Sequence, residues 1–377
     1  MGPRATAKSV VMALVAASMV LVVSPPPAAA DQNEAPATQT EFAEISGGGS
    51  HTCALTNTGA VKCWGSNLVA QLGLGDTVSR GGSPAEMGAA LPAVDLGTGR
   101  TAVAVSAGGT YTCALLDDGS VKCWGHNADG QLGLGDDATR GDAPGEMGDA
   151  LPAVDLGTGR TAVAVSAGGT HTCALLDDGS VKCWGSNVDG RLGLGDTDNR
   201  GDDPDEMGDD LPAVPLGTGR TAVAVSVGTS PTCAGIGSAS VKCWGSNFSG
   251  RLGLGDTDNR GDAPGEMGDA LPAVALGTGR TAVAVSVGTN PTCVVLDDGT
   301  VKCWGVNTTG ELGQGDTDNR GDAPGEMGDA LPAIDLGTGR TAAAVSAGQA
   351  SGCARLAGGS VDVCRRSGTH GSMLSAG

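Results

Sequence analysis

Aromatic side chains are almost missing from this chain: two phenylalanines, one tyrosine and five tryptophans make up 2% of 377 residues. Any core must therefore be assembled from valine, alanine and leucine, and with 66 glycines these small side chains suit closely packed sheets and tight turns better than long helices. Histidine is scarce too, limited to His51, His126, His171 and His370. Four scattered imidazoles offer little for acid–base chemistry, and no G-x-S-x-G elbow marks a nucleophile. Positive charge is in short supply, with 22 Lys and Arg against 42 Asp and Glu, a formal charge of -20 and a pI near 4.4. Such a surface repels phosphate backbones, so no nucleic acid partner is expected.

Long apolar runs are limited to one, from Val10 to Val23, shorter than the roughly 20 residues a bilayer span needs. Arg4 and Lys8 precede it and Pro25-Pro26-Pro27-Ala28-Ala29-Ala30 follows. This order of basic, apolar and small residues predicts a secretory signal peptide over residues 1–30, cleaved before Asp31; a retained anchor is the alternative. No cysteine precedes Cys53, which argues against lipid attachment at the cleavage site. The expected mature protein is secreted or held at the cell surface, has no membrane span after cleavage, and meets an oxidising compartment.

What the chain has in abundance is repetition. The first cysteine of each pair falls at Cys53, Cys113, Cys173, Cys233, Cys293 and Cys353, always 60 residues on from the last. Trp64, Trp124, Trp184, Trp244 and Trp304 keep the same step, as does the phrase "GTGRTAVAVS" ending at Ser106, Ser166, Ser226 and Ser286. A fixed period of this kind means stacked or radially arrayed units. Within one unit, residues 101–106 and 112–116 read as strands, Asp117-Asp118-Gly119 as a turn, and 120–124 as a third strand. "LPAVDL" at 151–156 reads as a fourth, outer strand, with Pro152 tolerated at an edge. Four short strands per unit predict an all-β fold, a β-propeller of about six to seven four-stranded blades.

The turn bears on the cysteines. If Gly119 is left-handed in a three-residue loop, Cys113 and Cys123 sit opposite each other on neighbouring strands, close enough for a disulfide. The same pairing is expected for Cys53 with Cys63, Cys173 with Cys183, Cys233 with Cys243, and Cys293 with Cys303. Metal binding is the rival reading, but zinc sites usually show C-x2-C spacing, and here nine residues intervene. No metal or cofactor is expected. The tryptophans are assigned to packing between blades, with stacking on a sugar as the alternative.

"GGTHTCALLDDGSVKCWGSNVDGRLGLGD", from Gly168 to Asp196, closely resembles the signature of the regulator of chromosome condensation repeat family, especially a secreted bacterial branch with paired cysteines. The resemblance covers residues 42–361 and rests on "HT", "DDGSV", "WGSN" and "GxLGLGD" recurring in fixed order. It implies a propeller, commonly seven-bladed, closed by strands from the two chain ends. Only six cysteine-pair units are visible, and the sixth deteriorates: ten residues separate Cys353 from Cys364, and "SVDVCRRSGTHGSMLSAG" replaces "SVKCWGSN". A shifted reading frame, a truncated gene or a genuine short terminus would each produce this break. The domain plan is thus a leader at 1–30, a linker or closing strand at 31–41, the repeat propeller at 42–364 and an irregular tail at 365–377, with ring closure left open.

Catalysis is not expected, because His51 and His171 share a repeat position that holds Tyr111, Pro231, Pro291 and Gly352 elsewhere. "DTDNRGD" at 196–202 superficially resembles a calcium loop, yet Arg200 stands where an oxygen ligand belongs and no Glu fills the twelfth position. Solvated acidic loops are the alternative to weak calcium binding. "RGD", repeated at Arg140, Arg200, Arg260 and Arg320, is one coincidence copied with its repeat. Loops on a rigid scaffold are where binding specificity is usually placed. The expected function is a secreted interaction module without catalysis that grips a protein or a glycan. The alternatives are exchange-factor activity toward a small GTPase, implied by the family resemblance, and a calcium-dependent structural surface protein.

Overall fold

The computed structural model describes residues 41–237, 239–348 and 351–364. The proposed leader, most of the 31–41 segment and the tail lie outside them. Six antiparallel three-stranded sheets follow one another along the chain. We call them blades 1 to 6 and their strands inner, middle and outer. Blade 2 shows the pattern, with an inner strand Ala102–Ala107, a middle strand Tyr111–Leu116 and an outer strand Val121–Gly125. Blade 1 is Phe42–Gly47, His51–Thr56 and Val61–Gly65, and blade 3 repeats the pattern at Ala162–Ala167, His171–Leu176 and Val181–Gly185. Blade 4 is Ala222–Val227, Pro231–Ile236 and Ser240–Gly245, blade 5 Ala282–Val287, Pro291–Leu296 and Val301–Gly305, and blade 6 Ala342–Ala347, Gly352–Leu356 and Val361–Cys364. The ends of all six inner strands line one shared channel mouth, from Gly47 in blade 1 to Gly348 after blade 6, so the blades stand round an axis.

Local chemistry explains each element. Gly119 adopts φ of +80°, a conformation that costs an L side chain about 1–2 kcal/mol, and closes a tight turn in which the Leu116 amide donates to the Ser120 carbonyl. That turn sets the register that places Cys113 opposite Cys123. The middle strands of blades 2 and 3 are buried at every residue, as expected of strands covered on both faces. A bulge between Ala102 and Ala104 leaves Val103 outside the ladder and exposed.

The core lies between blades, not within them. Cys173, Leu175 and Val181 of blade 3 pack with Val225, Ala234 and Trp244 of blade 4, and equivalent clusters fill the other junctions. Polar stitches accompany this packing. A serine in each inner strand accepts the amide of the next blade's inner strand: Ser46 from Ala107, Ser106 from Ala167, Ser166 from Val227, Ser226 from Val287 and Ser286 from Ala347, all at 2.9–3.1 Å. Because blades are joined so closely, a Cβ on Gly108 would lie 2.6 Å from the Gly168 carbonyl oxygen.

One expectation needs correction, and one open point is resolved. The blades have three strands, not four: residues 151–156 run beside the outer strand as an extended strap and make only a single ladder-like bond, Val154 N–H to the Val121 carbonyl at 2.8 Å. Pro152 lacks an amide hydrogen, and the strap instead inserts Leu151, Val154 and Leu156 into the interblade core. In blade 6 the register is that of blade 2, with Arg355 opposite Val361, and the extra residue carries the second cysteine one place past the pairing position, so that Cys353 stands opposite Val363 and Cys364 opposite Gly352, and Cys353 is a free thiol.

Candidate interaction face

The strand directions divide the ring into two ends. Inner strands run toward the channel mouth and middle strands away from it, so residues 107–111 and the loop that leaves the outer strand at 125–131 share the mouth end. The turn at 117–119 lies at the opposite end. Hydrogen bonds tie the two mouth segments together, from His126 N–H to the Thr110 carbonyl and from Ser186 N–H to the Thr170 carbonyl. The mouth itself encloses about 180 Å³ and is lined largely by glycine backbone, with Thr229 and Thr289 on its rim.

Blades 3 to 5 furnish that rim with side chains. The Thr229 and Thr289 hydroxyls are exposed and 2.7 Å apart. The Arg191 guanidinium donates to Thr170 Oγ1 and to the Thr229 carbonyl, with Asp189 3.7 Å away. Arg251 donates from Nη2 to Asn290 Oδ1 at 3.3 Å, and its Cζ lies 5.3 Å from the centroid of the Phe248 ring. Its Nε is buried without an acceptor. Burial lowers the pKa of both guanidiniums, opposed by the nearby Asp189 carboxylate; both stay charged. Phe248 itself is 65% exposed, and Val188 and Leu68, at the same repeat position, are exposed as well.

The residues singled out in the sequence serve the scaffold. Cys53–Cys63, Cys113–Cys123, Cys173–Cys183, Cys233–Cys243 and Cys293–Cys303 are disulfides, each with Cα atoms 4.1 Å apart. Trp124, Trp184, Trp244 and Trp304 are fully buried, and each indole N–H donates to a carbonyl of the preceding blade, Gln71, Gln131, Arg191 and Arg251 in turn. Trp64 is only partly buried. His51 and His171 are not incidental: they reach across the junction to Thr112 and Thr232 at 2.8 Å, and Tyr111 contacts Thr172 in the same way.

The "DTDNRGD" loop is organised from within. Asp196 accepts from Asn187 Nδ2, from the Asp198 amide and from Arg200 Nη2, so a guanidinium already supplies the positive charge a cation would bring. Among the described residues no cluster of three or more His, Cys, Asp or Glu is placed to hold a metal. Each RGD arginine is engaged in the same way, Arg140 with Asp136, Arg260 with Asp256 and Arg320 with Asp316.

The sequence profile of the RCC1-like domain matches residues 24–354. The chain belongs to the RCC1-like domain family. Among curated relatives, it is 28% identical to human "E3 ubiquitin-protein ligase HERC2" over 281 residues, 72% of this chain and 5% of that protein. It is 32% identical to "Ultraviolet-B receptor UVR8" of Arabidopsis thaliana over 233 residues, 62% of this chain. The RCC1-like chain thus spans less than half of either relative, 47% of the receptor. Solved structures agree on the fold: human WBSCR16 superposes with a TM-score of 0.65 at 18% identity, covering 86% of this chain and 76% of that one. Prp20p of Saccharomyces cerevisiae, whose structure was determined together with its binding properties to Gsp1p and histones, gives 0.62 at 19% identity, covering 85% and 70%.

Arg191, Arg251, Phe248, Thr229 and Thr289 escaped attention in the sequence, where chemistry was sought as rare reactive types. Position-by-position comparison of the repeats carries the signal that finds them.

Proposed function

We propose that this RCC1-like chain is an exported interaction scaffold, without catalysis of its own, that grips a protein partner on loops carried by a stapled ring. The observation that carries this reading is the division of labour between a framework repeated in each blade and mouth loops that differ from blade to blade. Every blade from 1 to 5 has its own disulfide and shared interblade core, while the 125–131-type loops present different side chains on one end. Export is supported by the leader-like residues 1–30 and by five disulfides, which persist in oxidising compartments. Among the described residues no helix is long and apolar enough to cross a membrane.

The test is a photo-crosslinker placed at position 248 in the full chain expressed by its native host, with adducts identified by mass spectrometry. One dominant protein adduct that unlabelled chain competes away is the expected result. A glycan adduct corrects the partner class, and no competable adduct overturns the reading. The exchange-factor alternative rests on family membership alone and is tested by nucleotide release from a small GTPase, with no acceleration expected.

A further inference from the structure

Where the loop after one blade's outer strand meets the next blade, three junctions close in the same way. Gly135 N–H donates to the Gly201 carbonyl, Gly195 N–H to Gly261 and Gly255 N–H to Gly321, at 2.9–3.0 Å. So close an approach requires a residue without a side chain a few positions earlier. Gly130 stands there with φ of +73°, and a Cβ on it would lie 2.4 Å from the Asp202 amide nitrogen. At Gly190 and Gly250 the corresponding distances, to the amides of Asp262 and Asp322, are 2.2 and 2.3 Å.

The junction of blades 1 and 2 departs from this. Ala70 takes the place of Gly130, with φ of +63° and its methyl group fully buried. Blade 2 therefore stands off: a Cβ on Gly141 would be 3.7 Å from the Ala70 carbonyl oxygen, against 3.0, 2.8 and 2.9 Å from Gly201, Gly261 and Gly321 to their counterparts. Gly75 makes no bond to Gly141 of the kind that Gly135, Gly195 and Gly255 make. A cleft of about 360 Å³ lies at this junction, walled by Leu74, Pro92, Pro144 and Met147, with Arg80 and Asp95 also lining it. It shares no lining residue with the channel mouth.

The three closed junctions show what fits the Gly75 amide, since in each of them the equivalent donor meets a backbone carbonyl. Two prolines, a leucine and a methionine call for an apolar side chain beside that carbonyl. Arg80 is neutralised by Asp76 at 2.6 Å, whereas Asp95 enters no ion pair among the described residues, so the charge of the cleft favours a basic flank over an acidic one. We propose that the cleft between blades 1 and 2 docks an extended peptide segment of a partner protein. A backbone carbonyl of that segment accepts the Gly75 N–H, an apolar side chain packs on Leu74, Pro92, Pro144 and Met147, and a neighbouring Lys or Arg is drawn by Asp95. This rests on the scaffold reading and names a surface and a partner chemistry for it.

Two measurements on the full chain test this. Hydrogen exchange read by NMR should find the Gly75 amide about tenfold faster than those of Gly135, Gly195 and Gly255, and Ala70→Gly should slow it to their rate. A Gly75 amide as protected as the other three in the wild type would overturn the cleft. A phage-displayed random peptide library is then panned on the wild type, and the enriched peptides are titrated by fluorescence anisotropy. The proteins compared are the wild type, Ala70→Gly, Ala93→Phe, which fills the cleft, and Ala153→Phe, the same change one blade on, with melting temperatures no lower than that of the wild type confirming folding. Enriched peptides should pair an apolar residue with Lys or Arg, and should lose about tenfold in affinity on Ala70→Gly and on Ala93→Phe but less than about twofold on Ala153→Phe. Peptides without that pattern, binding that survives both cleft variants, or no enrichment at all would overturn this site. The scaffold reading is judged separately, by the crosslinker at position 248.

Discussion

The Arg191 carbonyl sits at the junction of blades 3 and 4 and accepts two buried hydrogen bonds, from Thr232 Oγ1 at 3.0 Å and from Trp244 Nε1 at 3.1 Å. Since Thr232 gives its only hydroxyl proton to that carbonyl, His171 must donate through Nε2 to Thr232, which leaves His171 Nδ1 as the buried nitrogen without a partner. A double-mutant cycle follows. Trp244→Phe loses one neutral hydrogen bond and part of a buried ring, about 2–3 kcal/mol. Thr232→Val keeps the shape but loses its bond and strands the His171 Nε2–H, about 2–4 kcal/mol. In either single variant the carbonyl retains one donor. The double variant leaves it with none, and a buried unsatisfied acceptor costs about 1–3 kcal/mol beyond the sum of the single changes. Urea unfolding under oxidising conditions, followed by far-UV circular dichroism with equal denaturant slopes, measures the coupling. Additivity within about 0.5 kcal/mol would refute the claim that this carbonyl locks the blades together.

Replacing Cys173 and Cys183 by serine should cost about 3 kcal/mol, the loop-closure value for a separation of 10 residues, and dithiothreitol should then destabilise the variant less than the wild type. Burial lowers the His51 pKa from 6.5 to about 4, and burial with the nearby Arg191 charge holds His171 well below its ordinary value. A histidine kept neutral when folded contributes stability that is present above pH 6.5 and lost as the pH falls from there toward 4, about 3 kcal/mol for His51. Melting at pH 7.5 and 5.0 reads this, and a His51→Gln variant that kept the wild-type slope would refute it. Gly193→Ala should cost about 2–4 kcal/mol by thermal melting, since its φ is +71° and the new Cβ would lie 2.7 Å from Trp244 Nε1. Chelation by EDTA should leave the melting temperature unchanged, because Arg200 already satisfies Asp196; a chelator-sensitive shift would revive the calcium reading.

Much of this architecture was legible because the repeat reports it several times over. The constant step from Cys113 to Cys173, the alternation in "TAVAVS" and the Asp-Asp-Gly turn predict strands, register and opposed cysteines from local chemistry alone. The strap at 151–156 misled, since Leu151, Val154 and Leu156 have the apolar content of a strand but are consumed by the interblade core, which a single unit does not display. The role of the histidines was not legible for a similar reason. Their partners, Thr112 and Thr232, lie 61 residues away, a distance that only the docking of one blade on the next closes.

Sequence by itself thus determined the blade, because turn geometry and strand pairing depend on contacts within a few residues. The candidate face was decided only by the tertiary structure. Thr170 and Arg191 of blade 3, Thr229 and Arg251 of blade 4 and Asn290 of blade 5 meet only when the inner strands gather round a common axis. Interblade contact is long-range, and it turns variation scattered along the chain into one rim.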